Sequence, residues 1–139
     1  MTESAIRPPL EGIQRGERIA PFSIRITTDD VRAYLDATGE TSALWETHVP
    51  PIALGAFGLA GLMERVLIPA GIVHTGQEYE FRRPVLHGEL LDVAIVVASR
   101  VERRGTVITA FETEWRSDET VVGTARTTVL ILPSNEGGT

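Results

Sequence analysis

The chain of 139 residues contains no cysteine and no lysine. Without cysteine, the chain can form no disulfide, thiolate nucleophile or cysteine-bound metal site. The lack of disulfides is typical of a cytoplasmic protein, which is the location we expect. The thirteen basic residues are all arginine and are outnumbered by nineteen acidic ones, so the net charge is −6. Nucleic acids and anionic membranes attract dense positive charge, so we expect the protein to bind neither.

Long apolar runs are also missing. The most apolar stretch, Ile52 to Ile68, is shorter than the roughly 20 residues that a membrane-spanning helix needs, and Glu64 and Arg65 interrupt it. The first twelve residues are polar and contain two prolines, so they do not resemble a signal peptide. With 42% hydrophobic residues, the composition predicts one globular domain. We place an N-terminal arm at 1–16, the domain at 17–133 and a flexible tail at 134–139.

Two helices are predicted in the first half of the chain. The first begins where Thr27 or Thr28 can cap the helix, with two aspartates in its first turn, and ends at Gly39. The second runs from Pro51 to Leu67 and is apolar on nearly every side, which predicts burial all round. Each of its three internal glycines costs about 1 kcal/mol relative to alanine, so we expect a backbone, a ligand or the sheet to approach closely there.

The remaining segments alternate between apolar and polar residues, as strands do. A helix enclosed by a curved antiparallel sheet is the hotdog arrangement, an α+β fold in which all the helix packs on one face. The runner-up is another α+β sandwich, and a lipocalin-like barrel is a further alternative. The predicted strands are Arg18–Thr27, Ile72–Phe81, Leu90–Val101, Val107–Arg116 and Thr120–Leu132, with a hairpin turn at Arg103-Arg104-Gly105.

Three motifs resemble MaoC-like dehydratases and (R)-specific enoyl-CoA hydratases, which have the hotdog fold. Tyr34–Trp45 (YLDATGETSALW) is similar to the family's loop segment, and Val49–Phe57 (VPPIALGAF) to the start of its central helix. Gly71–Leu91 (GIVHTGQEYEFRRPVLHGELL) is the most specific match, because its His, Gly, Gln, Glu, Arg-Pro and Gly all fall in order. The N-terminal, FAS1-like dehydratase type of MaoC domain is the most similar.

The resemblance implies a substrate and an assembly. MaoC-like proteins add water to 2-enoyl thioesters, or remove it from 3-hydroxyacyl thioesters, of coenzyme A or acyl carrier protein. No separate cofactor and no metal are implied, because coenzyme A or phosphopantetheine is part of the substrate. The family acts as dimers with the active site at the interface, so we expect a homodimer, or a heterodimer with a second hotdog subunit.

The catalytic pair of the family is altered in this chain. Catalytic members carry Asp and His five residues apart in the loop after the first helix, and these positions fall on Glu40 and Trp45. A carboxylate is retained, but an indole cannot shuttle a proton as imidazole does. The resemblance therefore predicts that activity of the chain alone is in doubt.

Two histidines are candidates for the missing acid or base. His74 either faces the thioester or the partner's site, or is a structural histidine within the sheet; strict alternation puts it on a polar face with Gly76, Glu78 and Glu80. His48 either swings in beside Glu40 or is a solvated loop residue. We expect the third histidine, His87, to be exposed in a turn.

Candidate substrate contacts follow from the same motifs. Pro51 and Gly55 lie at the start of the second helix, whose backbone N–H groups can stabilise a thioester oxygen. Gly76 belongs to the third motif. Arg82 and Arg83 either bind phosphates of coenzyme A or phosphopantetheine, as arginine does well, or form salt bridges.

Several functions remain open at this point. The chain is an acyl-thioester dehydratase or hydratase, or a subunit that binds the thioester while a partner supplies the Asp/His pair. Alternatively, it is a non-catalytic acyl-binding subunit or an acyl-CoA thioesterase. Thioesterases of this fold place an acidic residue near the start of the helix, whereas Glu64 is near its end.

Overall fold

A computed structural model describes residues 7–133, so the predicted tail at 134–139 and residues 1–6 of the arm lie outside it. Five strands and two α-helices account for most of this range, and within it no helix is both long and apolar enough to cross a bilayer. The elements are β1 Phe22–Arg25, α1 Thr28–Thr38, α2 Pro51–Arg65, β2 Ile72–Phe81, β3 Leu90–Arg103, β4 Thr106–Ser117 and β5 Thr120–Ile131.

The five strands form one antiparallel sheet in the order β1-β3-β4-β5-β2. The tight β3–β4 connection at Arg104 and Gly105, with φ of 55° and 83°, suits a two-residue hairpin. The strand β2 lies beside β5 at the edge of the sheet, so it does not pair with β3, the next strand in the chain. With α2 packed on one face, the α+β hotdog prediction is confirmed.

Helix α1 begins with a capping box. Thr27 Oγ1 accepts a hydrogen bond from the Asp30 amide at 3.1 Å, and Asp30 Oδ2 accepts one from the Thr27 amide at 2.9 Å. This arrangement satisfies two backbone donors that the helix itself leaves free. At the other end, Gly39 adopts φ 75° and donates to the Leu35 carbonyl. Both predicted ends are therefore confirmed.

Strand β1 is shorter than the Arg18–Thr27 segment that we predicted. Arg18 forms only an isolated bridge with Val96, and the regular ladder begins at Phe22. Pro21 lies between them and has no amide hydrogen to donate, so it interrupts the ladder. The alternation of apolar residues alone did not reveal this break.

Helix α2 packs on the sheet through three glycine–aromatic contacts. The nearest atoms to a Cβ built on Gly55 belong to Tyr79, on Gly58 to Trp115 and on Gly61 to Phe22. The close approach predicted from the glycines therefore comes from aromatic side chains of the sheet. Trp115 is 1% exposed, so the ring beneath Gly58 is part of the core.

Only one stripe of α2 is buried in the single chain. Leu54, Gly58 and Leu62 face the sheet, whereas Ile52 is 51% and Met63 46% exposed. The prediction of burial all round is wrong for this chain by itself. A helix on one face of a sheet can bury only the side that it turns to the sheet.

Part of the segment predicted as an arm is packed into the domain. Leu10 and Ile13 are buried, and the Leu10 amide donates to the Leu67 carbonyl at 3.0 Å. The Leu67 amide in turn donates to the Pro8 carbonyl at 2.9 Å. This pairing, just beyond α2, explains why the helix ends at Arg65 rather than at Leu67.

Replacing Gly58 by alanine tests the helix–sheet contact. A Cβ at this position would lie 2.6 Å from Trp115 Cζ2, so the helix or the indole must move. We expect Gly58→Ala to lower the free energy of unfolding by about 1–3 kcal/mol through overpacking, although alanine is the better helix former. Urea unfolding followed by circular dichroism measures this.

The control is Ala60→Gly on the exposed side of α2, which should lose only about 1 kcal/mol of helix propensity. A Gly58→Ala protein more stable than the wild type would contradict the packing described for α2.

Candidate functional site

Glu40 lies immediately after α1, where the left-handed Gly39 turns the chain. Its carboxylate is exposed, and Tyr34 Oη lies 3.5 Å from Glu40 Oε2. Burial and the neighbouring carboxylate raise the pKa of Tyr34 above its usual value. The phenol therefore stays protonated at neutral pH and faces the carboxylate as a donor.

Trp45 occupies the position at which the resemblance expects an imidazole. It belongs to a short 3₁₀ turn, Ala43–Glu46, whose first turn is capped by Ser42 Oγ. The indole is half-buried and packs against the hydrophobic core. Its place in the loop is thus a packing position, and it offers no group that accepts a proton.

His48 makes its side-chain hydrogen bond to the residue before it. The Nδ1 atom lies 2.9 Å from Thr47 Oγ1. Among the described residues, the side chains of His48 and Glu40 form no hydrogen bond with each other. The paired acid and base that we considered for these two residues is therefore not assembled within the single chain, and a role for either stays a prediction.

His87 is half-buried, so its predicted exposure is wrong. Its Nε2 donates to the carbonyls of Trp45 and His48, at 3.0 and 3.2 Å, and its Nδ1 lies 3.0 Å from Thr28 Oγ1. Because both Nε2 partners are carbonyls, we assign the proton to Nε2. His87 joins the start of α1 to the loop that carries Trp45, a connection over some forty residues that no local pattern indicated.

A bulge at Thr75 changes the face on which His74 lies. His74 pairs with Val129 and Gln77 with Thr127, whereas the register shifts between His74 and Gly76. Val129 and Thr127 are both buried on the helix side, so the prediction that His74 shares a face with Gly76, Glu78 and Glu80 is wrong. A bulge adds one residue and thereby reverses the alternation before it.

His74 belongs to a short chain of hydrogen bonds on this face. Its Nε2 lies 3.0 Å from both Gln77 Oε1 and the Gly76 carbonyl, and Thr127 Oγ1 donates to Gln77 Oε1 at 3.0 Å. The imidazole is exposed and stands at the edge strand. Gly76 itself lies on the opposite face from α2, beside Thr128, and its role as a substrate contact stays a prediction.

The two arginines after β2 differ in their contacts. Arg83 forms a 2.6 Å ion pair with Glu89, whose Oε2 also accepts from Ser117 Oγ at 2.6 Å. The Arg83 hydrogen bond, supported by those from Ser117 and the Leu86 amide, lowers the pKa of Glu89 to about 2. Arg83 thus holds the 83–89 turn together. Arg82 is exposed, and its guanidinium forms no ion pair within residues 7–133.

The start of α2 lies over β2. Pro51 is exposed at the first helical position, and Gly55, one turn later, is buried against the hydroxyl end of Tyr79. The Tyr79 ring also stacks on Phe81, with centroids 5.4 Å apart. Both predicted helix contacts, Pro51 and Gly55, are thus at the same end of α2, and their contact with substrate stays a prediction.

The chain has relatives among known proteins. The model of the FAS1-like dehydratase domain region matches residues 14–124. The chain belongs to the FAS1-like dehydratase domain family. This confirms the resemblance to MaoC-like proteins, and in particular to their FAS1-like dehydratase type. No curated protein sequence matches the chain.

Solved structures share the fold at low sequence identity. The monoamine oxidase regulatory protein from Archaeoglobus fulgius is 17% identical, with a TM-score of 0.75 and coverage of 94% of this chain and 98% of that one. The HadBC 3R-hydroxyacyl-ACP dehydratase complex from Mycobacterium tuberculosis is 21% identical (TM-score 0.70; 87% and 99% covered). The (R)-hydratase from A. caviae involved in PHA biosynthesis is 20% identical (TM-score 0.67; 88% and 98% covered).

The residues that sequence reasoning missed are two tyrosines. Neither was named as a candidate site residue, yet the hydroxyl of Tyr34 lies near Glu40 and that of Tyr79 near Gly55. The glycine pattern of α2 signalled that something approached the helix there. Which side chain did so depended on how α2 crosses the sheet.

No metal site accompanies these groups. Within residues 7–133, no group of three or more histidine, aspartate and glutamate side chains could hold a metal ion. The candidate site therefore offers a carboxylate, phenols and backbone donors. A phenol or a backbone N–H can donate to a carbonyl and polarise it, whereas proton shuttling near neutral pH is the property of imidazole.

The Arg83–Glu89 pair predicts a pH-dependent loss of stability. The pKa of Glu89 is lowered from 4.5 to about 2, so its stabilisation is present above pH 4.5 and is lost as the pH falls towards 2. We expect Glu89→Gln to lower the free energy of unfolding by about 1.5–3 kcal/mol at neutral pH, as for other hydrogen bonds to charged groups. Thermal unfolding of variant and wild type should converge at about pH 2–3.

Glu112→Gln is the matched control, because its 2.9 Å pair with Arg126 is more exposed, at 55% for Glu112 against 18% for Glu89. Such surface pairs contribute about 0–1 kcal/mol. Equal losses from the two substitutions, or a Glu89→Gln difference that persists in acid, would contradict this assignment.

Proposed function

We propose that this FAS1-like dehydratase chain binds an acyl thioester as one subunit of a hydratase or dehydratase that is completed by a second hotdog chain. The substrate is a 2-enoyl or 3-hydroxyacyl thioester of coenzyme A or acyl carrier protein, and the protein works in the cytoplasm. The partner's Asp/His pair moves the protons. The membership of the family supports the reaction class.

The observation that carries the proposal is the set of hydrogen-bond partners of the three histidines. All three histidines lie in the described part of the chain, and their side chains bond to Thr47, to Gln77 and Gly76, and to Thr28 with two loop carbonyls. None forms a hydrogen bond or ion pair with a carboxylate there. Addition of water to an enoyl thioester needs a base and an acid in mutual reach. A second chain would supply them.

The exposed side of α2 supports a partner subunit. Ile52, Ala56, Ala60 and Met63 form an exposed apolar stripe along the helix. The Gly55–Tyr79 contact places the start of this helix over β2, which is the ten-residue edge strand of the sheet. Free edges and apolar stripes both favour association. Another hotdog chain, identical or different, would cover both at once.

Purified protein distinguishes binding from turnover. We expect crotonyl-CoA to bind, as measured by isothermal titration calorimetry, because the proposed thioester contacts Pro51 and Gly55 lie at the same end of α2. We expect the loss of enoyl absorbance to be at least a hundredfold slower than in an enzyme with an intact Asp/His pair, since general acid–base catalysis contributes about 10²–10⁴-fold. A mass measurement in solution on the same sample gives its assembly state.

Other outcomes separate the alternatives. Fast hydration by the purified chain alone, abolished in Glu40→Gln, His48→Ala or His74→Ala, would replace the two-chain proposal by an active homodimer. Release of free thiol, detected with a thiol-reactive dye, would identify a thioesterase. Absence of any binding to crotonyl-CoA or to an acyl carrier protein thioester would refute the thioester proposal itself.

The partner surface has its own test. Ala60→Arg puts a long charged side chain in the middle of the exposed α2 stripe, where it would lie uncompensated in an apolar interface. We expect light scattering after size exclusion to show that the assembled mass falls to that of the monomer. The unfolding temperature of the variant should equal that of the wild-type monomer.

Ala37→Arg is the matched control, because Ala37 is an exposed alanine on α1, away from the α2 stripe. It should leave the assembled mass unchanged. Assembly that persists in Ala60→Arg would show that the stripe is not covered by the partner.

A further inference from the structure

Tyr79 carries a hydroxyl group that the packing between helix and sheet does not require. β2 directs the residue to the helix side, since its cross-strand partner Ala125 is buried there. A Cβ on Gly55 would overlap the Oη end of the ring. Glycine at 55 therefore makes room for the far end of the phenol. Phenylalanine would fill nearly the same space between helix and sheet without the polar atom.

The Tyr79 hydroxyl is a free donor. Within residues 7–133 it makes no hydrogen bond, in contrast to Tyr34, whose hydroxyl faces Glu40. Burial raises the pKa of Tyr79 above its usual value, so the phenol keeps its proton at neutral pH.

The first turn of α2 has few backbone donors of its own. Pro51 has no N–H, and the amides of Ala53 and Leu54 both donate to the Pro50 carbonyl, at 2.9 and 3.3 Å. Of the first four helical residues, only Ile52 therefore keeps an amide free of that carbonyl. Sites that stabilise a thioester oxygen as it gains charge use two or more donors. A second donor is needed from outside the helix.

Tyr79 stands where that donor is needed. Gly55, which its hydroxyl end touches, is three residues beyond Ile52, which is less than one helical turn along the axis. The phenol therefore lies close to the first turn of α2, which carries the Ile52 amide. This end of the helix thus has one backbone donor, the Ile52 amide, and one side-chain donor, the Tyr79 hydroxyl.

We propose that Tyr79 Oη donates a hydrogen bond to the carbonyl oxygen of the acyl thioester, beside the Ile52 amide. The inference rests on the proposed thioester-binding function and names a specific residue for it. Tyr79 transfers no proton: it polarises the carbonyl and stabilises the negative charge that this oxygen gains when a proton leaves C2. Tyr79 is therefore a substrate-binding residue rather than an acid or base.

The test compares two ligands in wild type and Tyr79→Phe. Crotonyl-CoA has the thioester carbonyl, whereas S-butyl-CoA is a thioether of similar size that lacks it. We expect Tyr79→Phe to weaken the binding of crotonyl-CoA about 2- to 13-fold by calorimetry, which corresponds to one hydrogen bond of about 0.5–1.5 kcal/mol. Its affinity for S-butyl-CoA should be unchanged, and the infrared carbonyl band of bound crotonyl-CoA should move to higher frequency.

The thioether isolates the hydroxyl from any change in packing. Equal weakening of both ligands would assign Tyr79 to the structure of the pocket and overturn the inference, as would unchanged affinity for both. If the wild type binds neither ligand, the proposed function fails, and this inference with it. Wild-type binding that Tyr79→Phe does not alter refutes the role of Tyr79 alone.

Discussion

The contact between α2 and the sheet is the constraint on which the rest of this molecule depends. Three glycines spaced three residues apart leave one side of the helix without side chains, and Tyr79, Trp115 and Phe22 fill that side from three different strands. The helix accepts a propensity cost of about 1 kcal/mol for each glycine, and the sheet gains three large aromatic contacts in return. Because the fit is residue by residue, it sets where along the sheet each turn of α2 lies.

That placement also positions the residues of the candidate site. The turn of α2 nearest to β2 brings Gly55 to the hydroxyl end of Tyr79, and the loop that leads into the helix carries Trp45 and His48. His87 fastens this loop to the start of α1 through the carbonyls of Trp45 and His48. His87 is therefore held by hydrogen bonds to backbone, and none of the three imidazoles is bonded to a carboxylate within residues 7–133.

The proposed division of roles between two chains rests on the same geometry. A helix seated on one face of a sheet buries one stripe, and the opposite stripe of α2 is apolar, with Ile52 and Met63 about half exposed. The proposed second hotdog chain would bury this stripe and supply the acid–base pair that this chain lacks. A carbonyl held by Tyr79 and the Ile52 amide would then lie between the two subunits.

Local features were predictable because short-range interactions determine them. A few neighbouring residues are enough to predict the capping box at Thr27 and Asp30, the left-handed Gly39, the Arg104-Gly105 hairpin and the replacement of imidazole by Trp45. Alternating apolar residues likewise predicted where the strands from Ile72 onwards lie in the chain. The side of the sheet on which His74 lies was wrong because one extra residue at Thr75 reverses the alternation. The burial of His87, the exposed stripe of α2 and the approach of Tyr79 to Gly55 were decided by tertiary structure. They join residues far apart in the chain, and only the packing of the helix on the folded sheet brings those residues into contact.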